Sequence, residues 1–177
     1  MDIYIYEGYA GNRKRPDSQD LIRAAAGDPG AVIDRNENGK PYFTDLPLEF
    51  SISHSGQLWI CAIADEPVGI DIQEVKVTDY MKLAGRFYTE AEQDFCRKYG
   101  RRGFFRIWVR KEALVKYSGT TLGRGLSRIE TVRGGELLDL IKLDRKEISL
   151  KEIEMSPDIF CVVAAEDTEG ICIKSLN

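Results

Sequence analysis

Residues 104–118 read FFRIWVRKEALVKYS, and wound as a helix at about 100° per residue they divide into two unequal faces. Arg106 and Arg110 fall together on one side, which is the expected solvent face. The apolar side holds six residues: Phe104, Phe105, Ile107, Trp108, Leu114 and Val115. Three charged residues fall within or beside that apolar arc: Lys111, Glu112 and Lys116. Burying a charge is costly without a partner, so we expect these three to face a partner or a cleft.

The pattern leaves two interpretations of these charges open. Spacing alone favours an i,i+4 ion pair between Glu112 and Lys116. A metal site needs a second carboxylate, and Asp71 provides one within the short apolar run VGIDI at 68–72. Two carboxylates and water make a reasonable Mg²⁺ shell, although Asp71 could instead cap a helix or pair with Lys111. Because side chains alternate along a strand, Gln73 is expected on the same face as Asp71.

The rest of the chain mixes strand and helix patterns. Alternating or β-branched runs predict strands at 2–6, 48–53, 58–64, 68–72 and 160–165. Capping residues and apolar periodicity predict helices at 19–26, 80–87, 89–99 and 104–118. The segment after residue 127 is punctuated by turns and is expected to be mainly strands. We therefore predict an α/β (α+β) chain.

Composition excludes several classes of protein. The 177 residues are 43% apolar, which fits one domain or two small packed halves. The chain carries neither the run of about 20 apolar residues that a membrane span needs nor the pattern of a signal peptide, so we expect it in the cytoplasm, away from membranes. A net charge of −4 argues against broad nucleic-acid binding. Four cysteines without CxxC spacing predict neither a disulfide framework nor a zinc site.

Six pieces of the sequence, taken in order, resemble the Sfp-type branch of the 4′-phosphopantetheinyl transferases. The pieces are GKPY (39–42), FSISHSG (50–56), VGIDI (68–72), Phe87 with Glu90 and Glu92, WVRKEA (108–113) with Lys116, and GLS (125–127). One such piece would be weak evidence for a resemblance. Several pieces in the family's order and approximate spacing are specific evidence for it.

The resemblance implies a pseudo-twofold chain whose two similar α/β halves, about residues 1–67 and 68–177, meet at the coenzyme A site. It implies that Mg²⁺ is held by Asp71 and Glu112, and that Lys116 contacts phosphate. Further residues would line the coenzyme A site: Lys40 and Pro41 along the adenine nucleotide, and Ser53 and His54 at its phosphates. Lys111 would pair with Glu92 and orient the helix.

The implied reaction moves the 4′-phosphopantetheine group of coenzyme A to a serine of an acyl or peptidyl carrier protein and releases adenosine 3′,5′-bisphosphate. Mg²⁺ and Lys116 would stabilise the leaving phosphate, and Glu112 could accept the serine proton. Gln73 stands where many relatives carry a third acidic ligand. Its amide oxygen could bind the metal directly or through water, and Mn²⁺ preference could change.

Gln73 also keeps an alternative open, a protein of the same fold that binds coenzyme A or a nucleotide without catalysis. An unrelated Mg²⁺-dependent phosphohydrolase is a further alternative. A hydrolase built on His54 with Ser53 or Ser55 is disfavoured, because adjacent strand residues point to opposite faces and no GxSxG elbow is present.

Basic residues at two places are candidate contacts. Arg13, Lys14 and Arg15 precede the first helix, where the resemblance implies a basic contact to the 3′-phosphate of coenzyme A. Arg15 is our candidate for that contact, and a solvated basic turn is the alternative. From Arg97 to Lys111 the chain carries seven basic residues and no acidic one: Arg97, Lys98, Arg101, Arg102, Arg106, Arg110 and Lys111. We name these seven the basic ridge and expect it either to dock an acidic carrier protein or to be an ordinary solvated face. The whole site lies in one chain, so a monomer is expected.

Overall fold

The structure is a computed structural model, and it describes residues 1–9, 16–120, 129–143 and 145–176. The first half contains five strands and one helix: β1 (Asp2–Glu7), α1 (Ser18–Ala26), β2 (Ile33–Arg35), β3 (Pro41–Phe43), β4 (Glu49–Ser55) and β5 (Leu58–Ala64). The second half contains two helices and seven strands in its described part: β6 (Gly69–Glu74), α2 (Tyr80–Phe87), α3 (Glu90–Ser118), β7 (Val132–Arg133), β8 (Glu136–Leu137), β9 (Leu140–Leu143), β10 (Lys146–Ile153), β11 (Ile159–Ala165) and β12 (Cys172–Ser175).

The main strands form two four-stranded sheets, with the orders β12-β1-β5-β4 and β6-β11-β10-β9. In the first sheet β1 pairs antiparallel with β5, which pairs antiparallel with β4. In the second sheet β6 pairs antiparallel with β11, which pairs antiparallel with β10. Strand β12 returns to the first sheet and lies parallel to β1. The mixed α+β class is confirmed. The pseudo-twofold rotation and the division at residue 67 stay predictions.

The two sheets and two helices stack as four layers. Helix α1 packs on the outer face of the first sheet, where Ile22 meets Phe50 and Trp59. The inner faces of the sheets share a core that includes Ile60 and Ile72. Helix α3 covers the far face of the second sheet through residues including Val109, Ala113, Leu114, Ile148 and Val162. Helix α3 is therefore held against the sheet that carries Asp71.

The helix ends follow their capping residues. Asp17 caps α1 by accepting the backbone N–H of Gln19, and Gly27 ends it at φ 71°. Thr89 and Glu92 form a reciprocal capping box at the start of α3. The two helices expected at 89–99 and 104–118 form one element, interrupted at Gly100 by non-helical angles of φ 64° and ψ −150°. A residue without Cβ tolerates that conformation, so the chain bends there and continues as helix.

One strand end differs from expectation. Strand β4 does not stop at residue 53 but continues through His54 and Ser55, because these residues pair with Trp59 and Leu58 of β5. The turn is left to Gly56, where a Cβ would lie 1.8 Å from a carboxylate oxygen of Glu74.

All four cysteines are free thiols. No helix in the part of the chain that the structure describes is long and apolar enough to cross a membrane.

Candidate active site

Gly69 lets α3 approach the backbone of β6 closely. A Cβ at Gly69 would lie 1.9 Å from the carbonyl oxygen of Ala113 and 2.4 Å from the backbone nitrogen of Tyr117. No side chain fits there, so glycine is required by the packing. Asp71, two residues further along β6, therefore faces the same helix. The sequence analysis missed this contact, although glycine inside a strand is a known signal of close approach.

Lys116 of α3 connects both sheets at this crossing. Its Nζ lies 2.7 Å from Oδ1 of Asp71 and 3.1 Å from each of the carbonyl oxygens of Ile52 and Ile70. The helical ion pair with Glu112, which spacing alone favoured, is absent among the described residues, since Lys116 is bound to Asp71 instead. Asp71 likewise pairs with Lys116 and not with Lys111.

The carboxylate of Asp71 is buried and unevenly bonded. Its Oδ1 accepts hydrogen bonds from Lys116 and from the hydroxyl of Ser53, both at 2.7 Å. Its Oδ2 is buried and has no hydrogen-bond partner among the residues described. Leaving a buried charged oxygen without a partner costs free energy, so this atom is a natural place for a cation.

Glu112 supplies a second buried carboxyl group close to Asp71. Burial, followed by the negative charge of Asp71, raises its pKa to about 7, and the positive charge of Lys116 opposes the shift. Such repulsion is relieved when a divalent cation lies between two carboxylates. Within the described ranges no three acidic, histidine or cysteine side chains are grouped as metal ligands. Two carboxylates that leave room for water and phosphate still fit Mg²⁺, which keeps several such ligands.

Gln73 lies on β6 beyond Asp71, but it lines a different cavity. That cavity has a volume of about 330 Å³ and is bounded by apolar side chains that include Leu83, Phe104 and Trp108. The cleft that contains Glu112 is not lined by Gln73. A ligand role for Gln73 stays a prediction.

The cleft at Glu112 has a volume of about 420 Å³ and takes its walls from both halves of the chain. Lys40 and Pro41 come from the first half, and Glu112 and Lys116 come from α3. Its other walls are Asn38, Gly39, Phe50, Ser51, Ile52, Val115, Gly119 and Thr120. A larger groove of about 680 Å³ lies beside Arg106 and Arg110, on another face of α3. We place the candidate site in the smaller cleft because four of the predicted residues converge there.

The loop before Lys40 is held in shape by asparagine side chains. Oδ1 of Asn36 accepts the backbone N–H groups of Asn38 and Lys40, at 3.0 and 2.9 Å. The side chain of Asn38 donates to the carbonyl oxygen of Gly119 at 3.0 Å, which ties the loop to the end of α3. Burial lowers the pKa of Lys40, although the charge of Glu49 opposes the shift. The sequence indicated Lys40 and Pro41 as site residues, but it did not reveal these contacts.

Ser53 and His54 point to opposite faces of β4, as strand alternation predicts. Ser53 is buried and bonded to Asp71, whereas His54 is exposed and its ring lies 5.3 Å from that of Tyr9. The structure therefore brings Ser53, but not His54, into contact with Asp71. Arg13, Lys14 and Arg15 lie outside the described residues, as does the GLS piece at 125–127.

The pair predicted between Lys111 and Glu92 is confirmed. The two side chains are fully buried, with Lys111 Nζ 2.8 Å from Oε2 of Glu92. Oε1 of Glu92 accepts both the backbone N–H and the hydroxyl of Thr131, at 2.8 and 2.9 Å. Lys111 also donates to the carbonyl oxygen of Ile129 at 2.6 Å. Thr131 was not foreseen, because nothing in its local sequence indicates a buried partner.

The basic ridge is only partly a surface. Arg110 is 2% exposed and Lys111 is 0% exposed, so the expected solvent face was wrong for Arg110, and neither residue belongs to a docking surface. Arg110 is paired with Glu152 and Asp139, carboxylates far away in the sequence. Arg106 shares Glu152. The ridge members that are exposed are Arg97, Lys98 and Arg102.

Comparison with known proteins identifies the family of this chain. The family model described as the 4′-phosphopantetheinyl transferase superfamily matches residues 67–156, just over half of the chain. That segment contains Asp71, Glu112 and Lys116. The chain belongs to the 4′-phosphopantetheinyl transferase superfamily.

Three relatives show the extent of the similarity. The 4′-phosphopantetheinyl transferase psf-1 of Bacillus pumilus is 39% identical over 101 residues, which cover 54% of this chain and 43% of the relative. The transferase Sfp of Bacillus subtilis is 38% identical over 95 residues, 49% of this chain and 40% of the relative. HetI of Nostoc is 30% identical over 152 residues, 77% of this chain and 61% of the relative. The matched regions span 40% to 61% of these relatives, less than two thirds of each.

Proposed function

We propose that the protein transfers the 4′-phosphopantetheine group of coenzyme A to a serine of an acyl or peptidyl carrier protein and releases adenosine 3′,5′-bisphosphate. The observation that carries the proposal is the pair of buried carboxyl groups, Asp71 and Glu112, together with Lys116. Glu112 and Lys116 line a cleft walled by both halves, and Lys116 is bound to Asp71. Membership of the transferase superfamily gives this arrangement its chemical context.

Asp71 and Glu112 are proposed to hold Mg²⁺, or Mn²⁺ in its place. The open Oδ2 of Asp71 and the raised pKa of Glu112 support this assignment, because both disfavour two carboxylates without a cation. When bound, the cation supplies positive charge beside the pyrophosphate of coenzyme A. Gln73 is a candidate for a further oxygen ligand, directly or through water.

The residues of the chain then have distinct tasks. The carrier serine oxygen forms a bond to the β-phosphorus while the bond from phosphorus to the leaving bisphosphate breaks. The proton of that serine passes to the carboxylate of Glu112, directly or through water. The ammonium group of Lys116 stabilises the charge that accumulates on the leaving phosphate. Lys40 and Pro41 are proposed to lie along the adenine nucleotide.

The carrier protein is proposed to dock through the exposed members of the basic ridge, Arg97, Lys98 and Arg102. Their positive charge would favour an acidic surface next to the target serine. Carrier proteins of fatty-acid, polyketide and nonribosomal peptide synthesis all fit this chemistry. A monomer in the cytoplasm is part of the same proposal.

Intact-protein mass spectrometry of an apo carrier protein tests the function. The carrier is incubated with this protein, coenzyme A and Mg²⁺, and a chelator is added in a parallel reaction. A gain of one phosphopantetheine that the chelator prevents would support the proposal. Binding of coenzyme A without any gain across several carriers would contradict it and favour the non-catalytic alternative. Release of phosphate without a carrier would point to a phosphohydrolase.

A further inference from the structure

Side chains join the two sheets where their outer strands lie together. Strand β4 ends the first sheet and β6 ends the second. Oγ of Ser51 accepts the backbone N–H of Ile70 at 3.0 Å, and Oγ of Ser55 accepts that of Glu74 at 2.9 Å. The step from Ser51 to Ser55 on β4 equals the step from Ile70 to Glu74 on β6. The two strands therefore run in the same direction with matched spacing. Hydroxyl groups thus take the place of a backbone ladder between the halves.

The hydroxyl of Ser53, between these two, has a different partner. Ser51, Ser53 and Ser55 form what we call the serine seam, and their exposures are 4%, 8% and 3%. The outer two accept hydrogen bonds from the backbone, whereas the middle one donates to Oδ1 of Asp71 at 2.7 Å. A serine hydroxyl has one proton to donate. In this structure that proton is committed to Asp71.

The contact with Ser53 distinguishes the two oxygens of Asp71. Lys116 also binds Oδ1, and its Nζ is held at the same time by the carbonyl oxygens of Ile52 and Ile70, so it shares this oxygen with Ser53. Ser53 has a single short side-chain torsion. It lies on β4 between Ser51 and Ser55, whose hydrogen bonds hold the strand against β6. It therefore fixes Oδ1 and leaves Oδ2 as the oxygen without a partner in the described chain.

We propose that Ser53 is a positioning residue, whose hydroxyl holds Asp71 by Oδ1 so that Oδ2 stays open, while Ser51 and Ser55 fix the register of β4 against β6. This role differs from the phosphate contact that the resemblance implies for Ser53. Its consequence for catalysis rests on the proposed transfer reaction. The contact itself does not, and it can be measured in the protein alone.

Urea unfolding of four proteins tests the contact: wild type, Ser53→Ala, Asp71→Ala and the double variant. Ser53→Ala is expected to lower the folding equilibrium constant about tenfold when Asp71 is present, as for a hydrogen bond to a charged group. In the Asp71→Ala background the loss is expected to be under threefold. Equal losses in both backgrounds would overturn the proposal.

Ser51→Ala and Ser55→Ala are the matched controls. Each removes a seam hydroxyl that bonds to backbone, so each is expected to lower stability by the same factor whether or not Asp71 is present. Coupling of all three serines to Asp71 would show a general loosening of the seam and would overturn the specific role of Ser53.

Kinetics and ligand binding separate positioning from phosphate contact. Ser53→Ala is expected to raise the Mg²⁺ concentration that half-saturates transfer at least threefold, and to change the Kd for coenzyme A in chelator less than twofold. Ser53→Thr keeps the hydroxyl and should retain the wild-type Mg²⁺ requirement. If Asp71→Ala does not fold, the comparison of Ser53→Thr with Ser53→Ala still tests the role of the hydroxyl. A large loss of coenzyme A affinity with an unchanged Mg²⁺ requirement would overturn the proposal. Absence of transfer in wild type would refute the proposed function, and the unfolding experiment would still decide the role of Ser53.

Discussion

Two lysines of α3 pair with buried carboxylates, and the pairs differ in how completely each carboxylate is bonded. Both oxygens of Glu92 are occupied, one by Thr131 and the other by Lys111 and the backbone N–H of Thr89. Asp71 has one oxygen bonded and one open. A fully bonded pair serves the fold, whereas a partly bonded pair beside a second carboxyl group can bind a ligand. We call these the closed pair and the open pair.

The largest expected effect lies beside the open pair. Glu112→Gln should lower kcat for transfer by about 100-fold or more, because it removes both a proton acceptor and a carboxylate. Circular dichroism should show an unchanged fold. Asp71→Ala should likewise lose its Mg²⁺-dependent activity. Wild-type turnover in both variants would contradict the assignment of the open pair.

Breaking the closed pair should affect stability more than chemistry. Lys111→Met leaves Glu92 buried without its main partner, and we expect a loss of about 3–5 kcal/mol in the free energy of unfolding. The activity of the folded fraction should stay within a few-fold of wild type. The double variant Glu92→Leu with Lys111→Met should recover part of the stability. A specific loss of kcat at full stability would show that the closed pair is catalytic.

The pH dependence of the free energy of unfolding should reveal how much the folded protein disfavours the charged form of Glu112 when no metal is bound. Its pKa is raised from 4.5 to about 7, so the folded state holds this proton more tightly than the unfolded state. Stability in chelator should therefore fall as the pH rises through that interval. Glu112→Gln removes the effect and should be more stable than wild type at pH 8, by an amount on the order of 1–3 kcal/mol. Thermal unfolding at pH 4 and pH 8 measures the difference, which should vanish at pH 4.

The smallest expected effect concerns docking. Arg97→Glu together with Lys98→Glu should raise the KM for the carrier protein by roughly threefold to tenfold and leave the KM for coenzyme A unchanged. Arg106→Gln is a useful control. Arg97 and Arg106 are each paired with a carboxylate, Asp94 and Glu152, but Arg97 is exposed and Arg106 is half-buried. If both constants stay at their wild-type values, the carrier docks elsewhere.

Local signals in the sequence predicted much of the fold and part of the site. The helices predicted to begin near residues 19 and 89 do begin there, capped by Asp17 and Thr89, since capping depends on neighbours in the chain. The apolar arc of residues 104–118 correctly indicated that Lys111 and Glu112 are buried. Their inward direction follows from helical periodicity alone.

Contacts between distant segments could not be predicted from local patterns. Arg110 looked solvent-exposed because its partners Glu152 and Asp139 come from the second sheet region, tens of residues away. The choice of Asp71 as the partner of Lys116 depends on the close approach at Gly69, which sequence spacing does not reveal. The bond from Ser53 to Asp71 likewise depends on how the two sheets meet.

The most direct test of the contrast between the open and closed pairs is to measure, by electron paramagnetic resonance, the affinity of the protein alone for Mn²⁺. Wild type and Lys111→Met are predicted to bind one Mn²⁺ with similar affinity, and Asp71→Ala is predicted to lose at least tenfold in affinity. Equal binding by wild type and Asp71→Ala, or a loss confined to Lys111→Met, would contradict the account.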